Sequence, residues 1–448
     1  GMVRVYLSSL GSPTTLDVTV AGKYTADGAQ DLSLTTGETV RIRFDTSTGQ
    51  ISLVSSGKTY AMGQEMALRR HATSGSNGVR IAQARKSGNL YPGDLRLIAR
   101  KSGSSWRLYP IVYVYMEDYL CGVVPYEMGN GAQLEALKAQ AVAARTYTLN
   151  KMNQRSSGLY DVVDTTNDQV YYGNSDSTTN CMAAVLATKG IVLMNGSTLT
   201  STWYTASNGG QTESAKNCWG SGGYDYLTVK DDPFDLGNSL STVKSATIYG
   251  DYAAAAQNAQ LRTVLESKVR MLVGSATIRR IAGVTPHTPK FGAPSRLYTK
   301  MDFQLQVISA TGNEMDVTVT CDIFDELESI LGLRINAAKN ELWSVEKVGN
   351  NFAVKARRYG HGVGMSQRGA MRMGALGYTY DQILGFYYEN SRRVQHTFTQ
   401  TILSGVGNDT IETEEPPAEL PEETAAQASV QLPGANDVTA MRTAQDAA

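Results

Sequence analysis

An Ala-rich stretch from Leu134 to Tyr147 commits this chain to a long helix. Leu134, Leu137, Ala141 and Ala144 form one stripe at helical spacing, and Glu135, Lys138, Val142 and Arg145 form the next. The first stripe suits a core; the second mixes charge with apolar side chains and suits the wall of a groove. Asn130, with Gln133 three residues on, reads as an N-cap with a partial capping box, which predicts a helix over 131–149. Just upstream, in Val124-Pro125-Tyr126-Glu127-Met128, a carboxylate sits in what reads as a short loop. An acid before a helix is more often structural than catalytic. Its ionised form is favoured there, which opposes use as a general acid. Desolvation by Pro125, Tyr126 and Met128 would act the other way.

Residues 3–115 alternate apolar with polar or small positions: Val3/Val5/Leu7, Leu16/Val18/Val20, Val40/Ile42/Phe44, Leu95/Leu97 and Leu108/Val112/Val114. That period of two reads as strands. Further on, residues 251–282 read as helix, from Leu261, Val264, Leu265, Val269, Leu272 and Val273, and 235–300 reads as an insertion of unassigned role. Thr311-Gly312-Asn313 separates two alternating runs and predicts a hairpin, with a short helix from Asp322 to near Gly332 after it. Residues 370–374 and 380–388 read as helices. The pattern predicts an α+β protein: a β-rich N-terminal lobe (1–115), a mixed core (116–404) and a tail (405–448), with a groove between the lobes containing Glu127.

The 448 residues exceed what one core usually serves. No run of 18 apolar residues occurs, so no membrane span is expected. Gly1 ahead of Met2 reads as a cloning remnant, and an export signal or N-terminal anchor is expected to have been removed. From Gly405 on, nine acids face one base, Arg442; with a chain-wide net charge of −1, residues 1–404 carry +7. A modestly basic body suits an anionic polymer such as the cell wall, and no basic stripe interleaved with aromatics points to nucleic acid. Cys121, Cys181, Cys218 and Cys321 lack C-x-x-C spacing and read as free thiols.

Four segments carry a resemblance. They are the Val124–Met128 block with its helix; Asp164-Thr165-Thr166 through Gln169-Val170-Tyr171 to Gly173; Ser207-Asn208-Gly209-Gly210-Gln211-Thr212-Glu213; and Gly360-His361-Gly362-Val363-Gly364-Met365-Ser366-Gln367. In this order, with flanks covering roughly 90–390, the chain resembles the SpoIID/LytB family of stage II sporulation protein D and the amidase enhancer LytB.

The resemblance implies a peptidoglycan lytic transglycosylase cleaving the bond between N-acetylmuramic acid and N-acetylglucosamine, on peptide-stripped strands, with a 1,6-anhydro product. Ordinary glycosidases need two carboxyl groups. Here the muramic C6 hydroxyl would serve as nucleophile, so one general acid/base suffices. The family's catalytic Glu maps onto Glu127, with Glu135 the internal rival. Substrate-binding roles are implied for Gln169, Ser207, Asn208, Gly209 and Gly210. Lys138 and Arg145 would orient N-acetyl or lactyl groups, or be solvated helix charges. His361, Ser366 and Gln367 would line the groove, or form a structural glycine turn. Some relatives bind zinc near the Asp-Thr-Thr segment; Asn167 and Asp168 stand there in this chain, so neither metal nor cofactor is expected. The expected location is the cell envelope or outside the cell. The expected partners are glycan strands, with an amidase or other cell-wall hydrolase as a second protein. Two alternatives remain: a Cys218–His361 thiol–imidazole pair, and a non-catalytic amidase enhancer.

Overall fold

The computed structural model describes residues 1–403; the acidic segment 405–448 lies outside the described residues. The strands read from alternation form. Thr39–Phe44 buries Val40, Ile42 and Phe44 while the residues between them face solvent. Its register sets Ile42 against Leu16 and Val40 against Val18, so the two strands bury the same face. Six strands pair in this sheet. A seven-stranded sheet is built around Ser105–Val114, which pairs antiparallel with Asp94–Ser102 on one side and Val3–Tyr6 on the other.

Eight α-helices occur among the described residues. They are α1 (Met116–Met128), α2 (Leu134–Gln154), α3 (Thr179–Ala187), α4 (Ala215–Trp219), α5 (Pro233–Leu236), α6 (Ala259–Val273), α7 (Gln367–Ala375) and α8 (Tyr380–Tyr387). Residues 1–202, 379–381 and 390–403 form one compact unit, and 203–378 with 382–389 form a second. The division therefore does not fall at residue 115. Val3–Tyr6 pairs in parallel with Val162–Val163, and Arg4 binds the Asp161 carboxylate, which ties residues beyond α2 to the first sheet.

Two expectations about the α1–α2 region need correction. Glu127 is not in a loop before a helix; it lies in the last turn of α1, which tolerates Pro125. Proline costs that helix the N–H that would have bonded the Cys121 carbonyl, a loss confined to its final turns. Nor does Asn130 cap α2. Its side chain accepts from Cys181 N at 3.0 Å in the first turn of α3, and α2 starts at Leu134 with no side-chain cap.

α2 packs against α1, α3 and strand Ile191–Asn195, so it is buried nearly all round rather than on one stripe. Val142 and Arg145 of the expected groove wall are both 0% exposed, whereas Leu134 of the expected core stripe is 46% exposed. Arg145 is accommodated by pairing with Glu117 of α1, Nη2 to Oε2 at 2.6 Å and Nε to Oε1 at 3.1 Å. It also donates to the carbonyls of Ile191 and Val185. Glu117 accepts from Gly190 N as well.

In the second unit, the expected hairpin forms from Tyr298–Ser309 and Glu314–Asp322, with Phe303 opposite Val319 and Leu305 opposite Val317. Asp322 caps the short turn Ile323–Leu327, where the sequence placed a helix start. The helical reading of 251–282 is too long. α6 occupies Ala259–Val273, capped by Asn258, and Ala276–Pro289 is a strand paired with Tyr298–Ser309. Leu261 and Leu265 of α6 join Ile281, Phe303, Leu305 and Val319 in one core, so the stretch read as an insertion closes a sheet-and-helix layer.

Removing one member of a buried ion pair strands the other. Arg145→Ala should therefore cost roughly 3–5 kcal/mol of stability in denaturant unfolding. A loss below about 1 kcal/mol would show that the Glu117 carboxylate finds water or another donor.

Candidate active site

Within the first unit, Glu127 is half-buried at the C-terminal end of α1. The negative end of the helix dipole there opposes ionisation, the reverse of the effect expected at a helix start. Two phenols sense its charge. Burial, then Asp168 and more weakly Glu127, push the Tyr119 and Tyr147 hydroxyls up, so both stay protonated. Pro125 and Tyr126 line a cavity of about 250 Å³ with Lys86, Asn89, Ser175 and Thr178. Tyr126 is 40% exposed and meets the Tyr172 ring edge-on.

Glu135 has structural duties at both oxygens. Oε1 takes Lys138 Nζ at 2.7 Å, and Oε2 accepts from Tyr380 N at 2.7 Å, the first residue of α8. Lys138 also lies 5.8 Å from the Tyr380 ring centroid. Gln169 is buried, its Oε1 accepting from Tyr119 Oη at 3.1 Å and Thr148 Oγ1 at 2.9 Å. Arg145 and Gln169, expected to bind substrate, are thus internal braces, because the helix that carries or faces them is enclosed. Asp168 takes Arg155 and Val163 N at one oxygen and Tyr147 Oη at the other. Among the described residues no group of three or more His, Cys, Asp or Glu is arranged to hold a metal ion.

Within the second unit, strands Tyr204–Thr205 and Met365–Ser366 pair in parallel and bring the two glycine-rich motifs together. What clamps them was missed in the sequence: Asp232 and Asp235. Asp232 caps α5 through Phe234 N and Asp235 N, with Pro233 at the first helical position. Its other oxygen accepts from Asn208 Nδ2 and Tyr387 Oη, each at 2.7 Å. Burial, and next the Asp235 charge, push this carboxyl up to about 6.

Asp235 accepts from Ser207 Oγ, Asn208 N, Gly209 N, Ser241 Oγ and Ser366 Oγ. Gly209 sits at φ 78°, where a Cβ would lie 2.7 Å from Arg358 N. Gly210, Ser366 and Gln367 are buried too. Ser207, Asn208, Gly209, Gly210 and Ser366 therefore shape the loops, and their polar groups bond within them. The signal for the aspartates was the Asp-Pro pair of Asp232-Pro233, an N-cap followed by proline.

Arg358, also missed, is fully buried. It donates to the Asn208 and Gln211 carbonyls and to Glu213 Oε2 at 3.2 Å. His361 is half-buried. Burial lowers its pKa to about 4, its Nδ1 accepts from Val363 N, and the ring bonds the Tyr204 backbone. Burial pushes the Cys218 thiol up. Burial works against a thiolate at Cys218, and the His361 ring is engaged with backbone, so neither group is set up for the Cys218–His361 alternative. Cys121, Cys181 and Cys321 are buried free thiols, pushed up to about 12, 11 and 12.

A family profile described as "SpoIID: Stage II sporulation protein" matches residues 105–195, which hold α1, α2 and α3. Stage II sporulation protein D of Bacillus subtilis (strain 168) is 31% identical over 295 residues, 62% of this chain and 74% of that protein. The chain belongs to the SpoIID/LytB family. The amidase enhancer of the same organism is 32% identical over 287 residues, 60% of this chain. An uncharacterized protein of Brachyspira hyodysenteriae is 30% identical over 274 residues, 61% of this chain. The chain spans 39% of the amidase enhancer's length and 65% of the Brachyspira protein's.

A second carboxyl pair supports the His361 loop. Glu328 and Glu341 are 3% and 0% exposed and sense one another's charge, and burial with the Glu341 charge pushes Glu328 up to about 7. Glu341 also accepts from Ile335 N and Asn336 N, and Asn336 in turn holds the Arg358 carbonyl and Gly360 N. A carboxyl raised in the folded state stabilises fully below its unfolded pKa, and the contribution is lost as pH rises through the folded value. The melting temperature should fall between about pH 5 and pH 7 from this source. Glu328→Gln, which mimics the protonated form, should flatten that part of the profile. An identical pH slope in both proteins would remove the pair from the account.

Proposed function

We propose that the protein is a peptidoglycan lytic transglycosylase with Glu127 as its general acid/base. The observation that carries this reading is the position of Glu127: a half-buried carboxylate in the C-terminal turn of α1, inside the region matched by the family profile. A helix C-terminus favours the protonated carboxyl, the form a general acid needs.

In the reaction, Glu127 donates its proton to the glycosidic oxygen as the bond to the muramic anomeric carbon breaks. The carboxylate then takes the proton of the muramic C6 hydroxyl as that oxygen closes on the anomeric carbon. The sugar leaves as a 1,6-anhydro ring, and the acid is returned to its starting state. The substrate would be peptide-stripped strands, and the setting the cell wall outside the membrane; no described helix is long and apolar enough to cross one.

A second reading has one observation in its favour, the 32% identity to a protein named amidase enhancer. In it the chain binds peptidoglycan and stimulates an amidase without cutting glycan. One experiment separates them. Peptide-stripped strands incubated with the protein should yield 1,6-anhydro-N-acetylmuramic ends by mass spectrometry, and Glu127→Gln should lower turnover about 10²–10⁴-fold with an unchanged melting curve. Reducing-end muramic acid as the product would make the enzyme a hydrolase. No cleavage, together with faster hydrolysis by an added amidase, would establish the second reading.

A further inference from the structure

Beside the His361 loop, the second unit displays a chain of rings. Trp219 and His361 are 5.1 Å apart, Trp203 and Trp219 4.7 Å, Trp203 and Tyr224 5.1 Å, and Tyr224 and Tyr226 6.3 Å between centroids. Trp219 is 45% exposed, a large indole face left in water. Its exposure is not that of a frayed end. α4 is capped at its start by Ser214 and closed by Gly220 in the left-handed conformation. Glu213 ties that start down, accepting from Ser214 N and Asn217 Nδ2 at one oxygen and from Arg358 at the other. The Trp203 carbonyl accepts from Met365 N and from Tyr388 Oη at 2.6 Å, which holds the second indole's backbone.

We propose that this cluster is a saccharide platform, with Trp219 stacking on the pyranose ring of an N-acetylglucosamine residue of a glycan strand. The proposal rests on the glycan reading above and adds the element that grips an uncharged sugar. The chemistry fits on three counts. A β-linked hexosamine ring has one face of axial C–H bonds, apolar and about the size of an indole, with its hydroxyls at the rim. Stacking that face on Trp219 removes apolar surface from water and leaves the hydroxyls solvated. The rings are held before binding, so little side-chain entropy is lost.

His361 presents a backbone-anchored ring, its Nδ1 taken by Val363 N and its other nitrogen bonded to the Tyr204 backbone, so it extends the flat surface. The positive charge of Arg358 is felt at His361, which disfavours a cationic ligand in the cluster. An uncharged sugar suits the site better than an ammonium group.

The test uses the full chain in the Glu127→Gln background, with the tetrasaccharide of N-acetylglucosamine as probe. Titration should quench or shift tryptophan fluorescence saturably, and calorimetry should give a matching affinity. Adding Trp219→Ala should weaken binding about ten-fold or more, with a melting curve showing the fold intact, while Trp219→Phe should recover part of the loss. Binding unchanged by Trp219→Ala, or binding without any indole signal, would overturn the platform. The glycan-cleavage assay is run in parallel on chains that keep Glu127. If cleavage of long strands needs Glu127 and keeps its KM in Trp219→Ala, the platform falls and the catalytic reading stands. If intact protein fails to cleave but binds the tetrasaccharide through Trp219, the catalytic reading falls and the platform stands.

Discussion

Five donors converge on the buried carboxylate of Asp235, and they come from three separate stretches: Ser207 to Gly209, Ser241, and Ser366. An anion so enclosed is tolerated only when every lone pair is used. That requirement fixes the loops around it, since each donor must keep its place or leave the charge unmet. Asp232, three residues earlier, extends the clamp to Asn208 and Tyr387 while capping the helix that carries Asp235. The parallel pairing of Tyr204–Thr205 with Met365–Ser366, the seating of Arg358 under the Asn208 carbonyl and the posture of His361 all hang on this point. In the first unit the corresponding constraint is the Glu117–Arg145 pair, which allows α1 to lie on a helix with almost no solvent-facing side.

The two glutamates near the start of α2 sit at opposite ends of two helices. Glu135, in a first turn, sits where negative charge is welcome, and it binds a lysine and the backbone of another helix. Glu127, in a last turn, sits where negative charge is resisted. The two side chains have the same intrinsic chemistry; the direction of the backbone dipole beneath each one tells them apart.

Much of the fold was legible. Strands of the first unit followed from period-two alternation, because one face of each meets a core and the other meets water. The hairpin around Gly312 and the helical turn starting at Asp322 followed from turn and cap chemistry, whereas the cap at Asn258 that shortens α6 did not. α1 was not legible, because Gly122 and Pro125 break the helical pattern that packing then overrides. The strand Ala276–Pro289 was hidden by the helical periodicity running into it and by its own glycine and prolines. At the candidate site, Glu127 was visible through its motif. The burial of Arg145, Gln169, Ser207 and Asn208 was not, since a polar residue reads as solvated until its partners, 21 to 150 positions away in chain, are known. Asp232 and Asp235 went unnoticed for the same reason.

The inward turn of Ser207, Asn208, Gly209 and Ser366 bears on how this chain's relatives should be sorted. Letters that close a fold are held in place whether or not the protein still performs chemistry, because losing one exposes a buried charge. A descendant that gave up bond cleavage and kept only recognition would retain both glycine-rich strings intact. Under the proposed mechanism, the position released to drift would be 127, at the end of α1. Motif matches to those strings therefore diagnose ancestry, and on the proposed mechanism one residue in a helix's last turn is the better index of occupation.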